Sequence, residues 1–269
     1  MAGPNPHLLH ILLARIDAAL AVHGPGLLIV GLCGAQGSGK STLAAALVAE
    51  LGANGLPAAT LSLDDIYLTR AERQQLASSI HPLLATRGVP GTHDVALGLQ
   101  TIAALKRGEA AALPRFDKGR DDRAPQAVWP RAPAQCRVLL LEGWCVGAVP
   151  QATAALASPI NALEEREDAQ GIWRAFANDA LAGPYRALFD QIGLLILLAA
   201  PDWNVVAQWR EEQELPLRRA RAAQAMDPAA LASFIQHYER LTRWILEEMP
   251  QRADVVVQLD RQRGVAAGA

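Results

Sequence analysis

The chain has 269 residues, of which 51% are hydrophobic and only 5% aromatic, and its formal net charge is −2. That length suits one α/β domain with long connections and an aliphatic core rich in alanine. The charge balance offers no basic excess for nucleic acid or an anionic membrane surface, so neither is expected as a partner. Three cysteines, Cys33, Cys136 and Cys145, show no C-x-x-C pair and no metal-type spacing with histidine. Free thiols in a reducing compartment are expected, with Cys33 and Cys136 as small core residues.

Leu8, Leu9, Leu12, Leu13, Ile16 and Leu20 recur at helical spacing, so residues 1–26 predict an amphipathic helix docked on the core. This segment lacks the basic start of an export signal, and no window of membrane-spanning length is free of charge. A soluble cytoplasmic protein is expected. Five apolar runs follow, at residues 27–33, 58–63, 137–142, 191–199 and 254–260. They are continuous rather than alternating, as in a parallel sheet covered on both faces. A helix is expected from Ser41 with Gly52 as its C′ residue. A second starts at a Thr92/Asp94 cap and ends at Lys106 and Arg107, with Gly108 beyond. A third spans residues 227–249, with Phe234, Tyr238, Leu241 and Ile245 on one stripe. The alternation predicts a doubly wound α/β fold, one domain over residues 1–269. The connection 64–136 is too long for a simple crossover. Its later part, with four prolines between Leu113 and Pro133, is expected to be mostly loop and suits an acceptor-binding role. Residues 261–269 are expected to be a flexible tail.

The sharpest local pattern is GLCGAQGSGKST, Gly31–Thr42. It holds G-x-x-x-x-G-K-S between an apolar strand and a helix, the context in which this motif cradles a nucleoside triphosphate. Glycines let backbone N–H groups turn inward around an anion, and the helix N-terminus adds positive potential. Gly34, Gln36, Gly37, Ser38, Gly39, Lys40, Ser41 and Thr42 are the expected nucleotide-binding residues. Lys40 would serve the β- and γ-phosphates, and the Ser41 hydroxyl would coordinate Mg²⁺. The second run ends in SLDDIYLT, which puts Asp64 and Asp65 at the carboxyl end of a strand, where ligands bind in open sheets. Either could accept the proton of an attacking hydroxyl, or simply cap a helix. The third run ends at Glu142, a candidate for holding Mg²⁺ directly or through water. Arg87, His93, Asp94, Arg115 and Lys118 lie in the long connection, and arginine there suits a carboxylate or phosphate. Residues 202–222 are expected to form a lid carrying Arg210, Arg218, Arg219 and Arg221. Of these, Arg210 is expected to reach the phosphates, while the rest could pair with Glu211, Glu212 and Glu214 on the surface.

The segments GAQGSGKST, SLDDIYLT, RGVPGTHD, LPRFDKGRDDR, LLLEGWCVG and WREEQE together resemble the plant- and yeast-type D-glycerate 3-kinases and their bacterial relatives. That family lies in the P-loop kinase group with phosphoribulokinase, uridine kinase and pantothenate kinase. The resemblance covers about residues 27–260. It implies a P-loop NTPase fold with a five-stranded parallel sheet of order 2-3-1-4-5, ATP and Mg²⁺, and transfer of the γ-phosphate to D-glycerate, giving 3-phosphoglycerate. It implies Asp64 as the base, with Asp65 second. Tyr67, Arg87, His93, Asp94, Arg115 and Lys118, with Asp65, would shape the pocket for a small carboxylate. Ile66 stands where the group usually has phenylalanine. Another acceptor within the group remains open: a nucleoside, pantothenate or a sugar phosphate. So does a nucleotide-driven switch, although the chain has no N-K-x-D or L-S-G-G-Q motif.

Overall fold

The computed structural model describes residues 5–219 and 226–266. Its main sheet has five parallel strands: β1 Leu28–Gly34, β2 Ala58–Ser62, β5 Val138–Gly143, β6 Leu194–Ala199 and β7 Val255–Gln258. Their spatial order is β2-β5-β1-β6-β7, which is 2-3-1-4-5 when only these strands are counted. β3 (Phe116–Asp117) and β4 (Asp122–Arg123) form a separate antiparallel ribbon inside the long connection. Every residue of β1, β5 and β6 is buried. Successive side chains of a strand point to opposite faces, so both faces of the sheet centre are covered. This is why the runs read as continuous rather than alternating.

The helices begin where the sequence supplies a cap. Asn5 accepts from the His7 and Leu8 N–H groups at the start of α1 (Pro6–His23), which buries Leu8, Leu12 and Ile16. Thr69 and Glu72 form a reciprocal capping box on α3 (Arg70–Ser79), worth about 1 kcal/mol. Asp94 caps α4 (Val95–Lys106) through the Leu97 N–H. Thr92 is not part of that cap. Its hydroxyl instead accepts from the Gly88 N–H and donates to the Val89 carbonyl, closing the turn before it.

Other expectations need correction. α2 (Lys40–Ala53) runs through Gly52 and ends at Asn54; the left-handed residue is Gly55, with φ +76°. Strand β2 stops at Ser62, and Asp64 and Asp65 sit on a single 3-10 turn, Leu63–Asp65. Residues 261–266 are not a frayed tail. The chain reverses after β7, Leu259 bridges Val265, and the Ala266 N–H donates to the Gln258 carbonyl at 2.8 Å. Residues 267–269 lie outside the described residues. So do residues 220–222 of the expected lid, with Arg221 among them; the rest of that segment forms α8 (Trp203–Arg219), which continues through Pro216.

The remaining helices, α5 (Ala162–Glu167), α6 (Ile172–Ala182), α7 (Pro184–Phe189) and α9 (Pro228–Glu248), follow the third and fourth sheet strands. All three cysteines are buried free thiols, Cys145 included, and burial pushes Cys33 up to about 12. None is available as a nucleophile. Among the described residues, no helix is long and apolar enough to cross a membrane.

Candidate active site

β1 ends in the glycine loop, and α2 begins at Lys40 after Gly39, whose φ is +86°. Helix α2 therefore presents its first, unpaired N–H groups at the loop. Packing favours glycine at position 34: a Cβ there would lie 2.7 Å from the Ser38 Oγ and 3.1 Å from the Leu198 Cβ. The Ser41 Oγ donates to Glu142 Oε1 at 3.2 Å, and Glu142, at the end of β5, is 5% exposed. Its second oxygen is buried without a partner. A hydroxyl and a half-satisfied carboxylate side by side are hard oxygen donors. With phosphate oxygens and water, they fit the sparse protein coordination that Mg²⁺ takes. Among the described residues there is no group of three or more His, Cys, Asp or Glu that would form an all-protein metal cage.

Next to this loop lies a cleft of about 330 Å³. Lys40 and Ser41 open onto it from the loop, and Asp64, Lys118, Arg87 and Arg210 face them from the rest of the wall. Asp64 accepts from the Tyr67 hydroxyl at 2.8 Å and from the Lys118 Nζ at 2.6 Å. Burial alone would raise its pKa. The ammonium groups of Lys118 and Lys40, with the two hydrogen bonds, outweigh that and hold it well below the usual carboxylate range. The side chain keeps 36% of its surface open to the cleft, so solvent reaches it.

Asp65 behaves differently although it is the next residue. It accepts from the Arg115 guanidinium at 3.1 Å and from the Phe116 N–H at 3.2 Å. Burial raises its pKa, more than these donors lower it. It ties the β3–β4 ribbon to the end of β2 and does not line the cleft. Arg115 is its partner and likewise stays out of the cleft. The two aspartates, either of which spacing alone would allow as base or cap, thus separate in space: one faces the cavity, the other anchors its wall.

Tyr67 and His93 stack with ring centroids 4.5 Å apart, and Tyr67 meets Phe116 edge-on at 5.3 Å. His93 is 5% exposed and shares a hydrogen bond with the Tyr185 hydroxyl. Burial depresses its pKa to about 4, so it is neutral at pH 7. It supports Tyr67 from behind and does not reach the cleft. Asp94, besides capping α4, pairs with Arg123 at 2.8 Å, and the same Arg123 nitrogen donates to the Tyr67 carbonyl. Arg87 is in the cleft, ion-paired with Asp121 and 5.5 Å from the Phe116 ring. Arg210 is in the cleft too, but its partner Glu214 is not a surface residue: it is 1% exposed and holds Arg210 at 2.5 Å. Arg218 turns away, donating to the Met226 carbonyl.

Sequence reasoning did not assign Trp144, Gln213, Glu214, Phe234 or Tyr238 to the site, yet all line the cleft. In the sequence, Phe234 and Tyr238 stand out only as members of one apolar stripe on α9. Tyr238 is buried, but its hydroxyl donates to the Arg87 carbonyl at 3.2 Å. The approach needs Gly88: a Cβ there would fall 2.1 Å from the Tyr238 Oη. Trp144 stood inside the EGW segment and could have been found there. Its indole N–H donates to the Gly88 carbonyl, holding the same loop.

Comparison with known proteins agrees with this geometry. Residues 29–157 match the model of the phosphoribulokinase / uridine kinase family. An uncharacterized kinase of Schizosaccharomyces pombe is 36% identical over 222 residues, 78% of each chain. The chloroplastic D-glycerate 3-kinase of Arabidopsis thaliana is 29% identical over 254 residues, 88% of this chain. The chain spans about half (53%) of that longer protein. The structure of D-glycerate 3-kinase from Cryptococcus neoformans superposes with a TM-score of 0.80 at 26% identity, covering 98% of this chain and 99% of that one. A nucleotide-binding loop at the edge of a charged cleft, in a chain with these relatives, makes this protein a member of the phosphoribulokinase / uridine kinase family of P-loop kinases, a phosphotransferase acting on a small molecule.

Proposed function

We propose that the protein transfers the γ-phosphate of ATP to a hydroxyl of D-glycerate, giving 3-phosphoglycerate. One observation carries the reading: Asp64 and Lys40 line the same cleft together with three further cations, Arg87, Lys118 and Arg210. Glu214 and Asp64 are the acids facing them there, so the lining holds four cations against two carboxylates. That excess suits a polyphosphate plus an acidic acceptor better than a neutral nucleoside. The D-glycerate 3-kinases among the relatives favour glycerate as that acid.

In this mechanism the protein does little covalent work. Lys40 and the N–H groups at the start of α2 would hold the β- and γ-phosphates, and Ser41 and Glu142 would hold Mg²⁺. The metal, when bound, neutralises charge on the phosphate oxygens. Asp64 would orient the acceptor hydroxyl and take its proton as its oxygen bonds to the γ-phosphorus and the bond to the β–γ bridging oxygen breaks, releasing ADP. Tyr67 keeps the carboxylate aimed into the cleft. Arg87 and Lys118, which line the cleft, would bind the acceptor's carboxylate, and Arg210, also in the lining, would offset charge on the transferring phosphoryl group.

A coupled ADP-release assay with and without D-glycerate tests this. D-glycerate should stimulate ADP release, with 3-phosphoglycerate accumulating in equal amount. Stimulation by a nucleoside, pantothenate or a sugar phosphate but not by glycerate would replace the acceptor. Stimulation by none of these would defeat the kinase reading of the cleft.

A further inference from the structure

The C-terminal turn reaches the glycine loop. Arg263 Nε donates to the Gly37 carbonyl at 2.7 Å, and its Nη2 pairs with Glu212 of α8 at 2.6 Å. The guanidinium lies 5.2 Å from the Trp209 ring centre. Trp209 is fully buried, packs where a Gly37 Cβ would stand (2.7 Å from the Trp209 Cβ), and donates its indole N–H to the Arg261 carbonyl. Loop, helix and terminal turn therefore meet at one side chain.

Arg263 has φ +69°, a left-handed conformation uncommon for a residue with a Cβ. The turn enforces it. Asp260 accepts from the Gln262 and Gly264 N–H groups, and its own N–H donates to the Gly264 carbonyl. Backbone strain held this firmly beside a ligand loop suggests a role in the loop.

The physical need is specific. Gly37 has φ +81°, and flanking glycines allow their peptides to rotate. A rotation that turned the Gly37 carbonyl toward the phosphates would put a negative dipole against them. A peptide's C=O and N–H point in opposite directions, so holding one end fixes the other. Here the Ser38 N–H donates to the Ala35 carbonyl while Arg263 holds the Gly37 oxygen. We propose that Arg263 is a positioning residue for nucleotide binding, locking the Gly37–Ser38 peptide so that the loop keeps its carbonyl off the phosphates.

This inference rests on the loop binding ATP, and the test separates the two. MgATP affinity is measured by calorimetry for wild type, Arg263→Ala and Arg263→Lys, with acceptor KM measured in parallel. Wild type without ATP affinity would defeat the nucleotide reading itself. If wild type binds, Arg263→Ala should weaken ATP about tenfold, with acceptor KM within about twofold, the loss expected for a charge-assisted hydrogen bond. Arg263→Lys should fall between, because one ammonium cannot serve Gly37 and Glu212 together in the same geometry. The loss should persist at about 0.5 M salt, where a simple charge effect would fade. ATP affinity within twofold of wild type in Arg263→Ala, equal losses for both substrates, or a loss abolished by salt would overturn the proposal. If Arg263→Ala does not fold, Arg263→Lys decides: a threefold or greater loss supports it and wild-type affinity overturns it.

Discussion

Lys118 and Asp64 meet as an ion pair in the cleft, with Nζ 2.6 Å from Oδ2. The pair joins the β3–β4 ribbon segment to the end of β2, so the proposed base is held by a residue of the long connection proposed to bind the acceptor. Such a carboxylate is a weak base while Lys118 stays on it. An acceptor whose own carboxylate draws Lys118 away would restore basicity only when the acceptor is present. Lys118→Met should therefore raise the Asp64 pKa. Catalysis needs the ionised carboxylate, so activity is present above that pKa and lost below it. The acid limb of the kcat/KM profile, which reports the free enzyme, should move to higher pH in the variant, and acceptor KM should rise about tenfold or more, as for a lost charge-assisted contact. An unshifted acid limb in kcat/KM would mean that Lys118 does not hold Asp64 in the free enzyme.

The two adjacent aspartates should respond differently to the same change. Asp64→Asn should lower kcat by roughly 10²–10⁴-fold, the usual range for a general base, with ATP affinity near normal. Asp65→Asn removes charge from the Arg115 and Phe116 contacts that fix the ribbon, so it should raise acceptor KM more than it lowers kcat. Steady-state kinetics with both substrates varied distinguish the patterns. A larger kcat loss in Asp65→Asn would exchange the two roles.

The glycine loop, the five strands and their parallel character were legible because each follows from local rules: glycine where a Cβ collides, continuous burial where both faces are covered. Asp64 and Asp65 were not separable by spacing, since a turn of three residues sends them to different neighbours. His93 and Asp94 carried polar chemistry in sequence but serve as supports, because stacking on Tyr67 and the start of α4 claim them. Phe234 and Tyr238 looked like core because a helix stripe does not reveal that its buried edge closes a cleft. Arg263 gave no signal at all. Its role depends on a chain reversal that brings residue 263 to residue 37, a contact no periodicity encodes.

Ser41 and Glu142 should act as a unit toward Mg²⁺. The unpartnered Glu142 Oε2 is buried, and a polar atom in that position costs stability unless something binds it. Glu142→Gln should raise the Mg²⁺ concentration for half-maximal activity by about tenfold or more, in line with the loss of a charged ligand. In the metal-free protein it should destabilise little or even stabilise, because a buried charge is removed. A Mg²⁺ titration of activity tests the first statement, and thermal melts without Mg²⁺ test the second. Lys40→Ala should nearly abolish turnover without any change in the Mg²⁺ requirement of the residual activity.

The wall of the cleft rests on a buried ion pair far from the chemistry. Arg240 on α9 donates to both oxygens of Glu164 on α5, at 2.8 and 2.6 Å, and the Glu164 side chain is fully enclosed. Arg240 also holds the Ala155 and Ser158 carbonyls. Two residues before it on the same helix is Tyr238, and six before it is Phe234, both in the cleft. Arg240→Ala leaves a carboxylate buried without its counter-charge, which should cost about 3–5 kcal/mol in urea unfolding. Replacing both partners with leucine removes the orphaned charge and should recover part of that loss. Recovery stays incomplete because the two carbonyls lose their donor. Both variants should raise acceptor KM more than ATP KM, since Tyr238 on α9 donates to the carbonyl of Arg87, a proposed acceptor contact. Equal effects on the two substrates would mean that α9 supports the whole site rather than its acceptor wall.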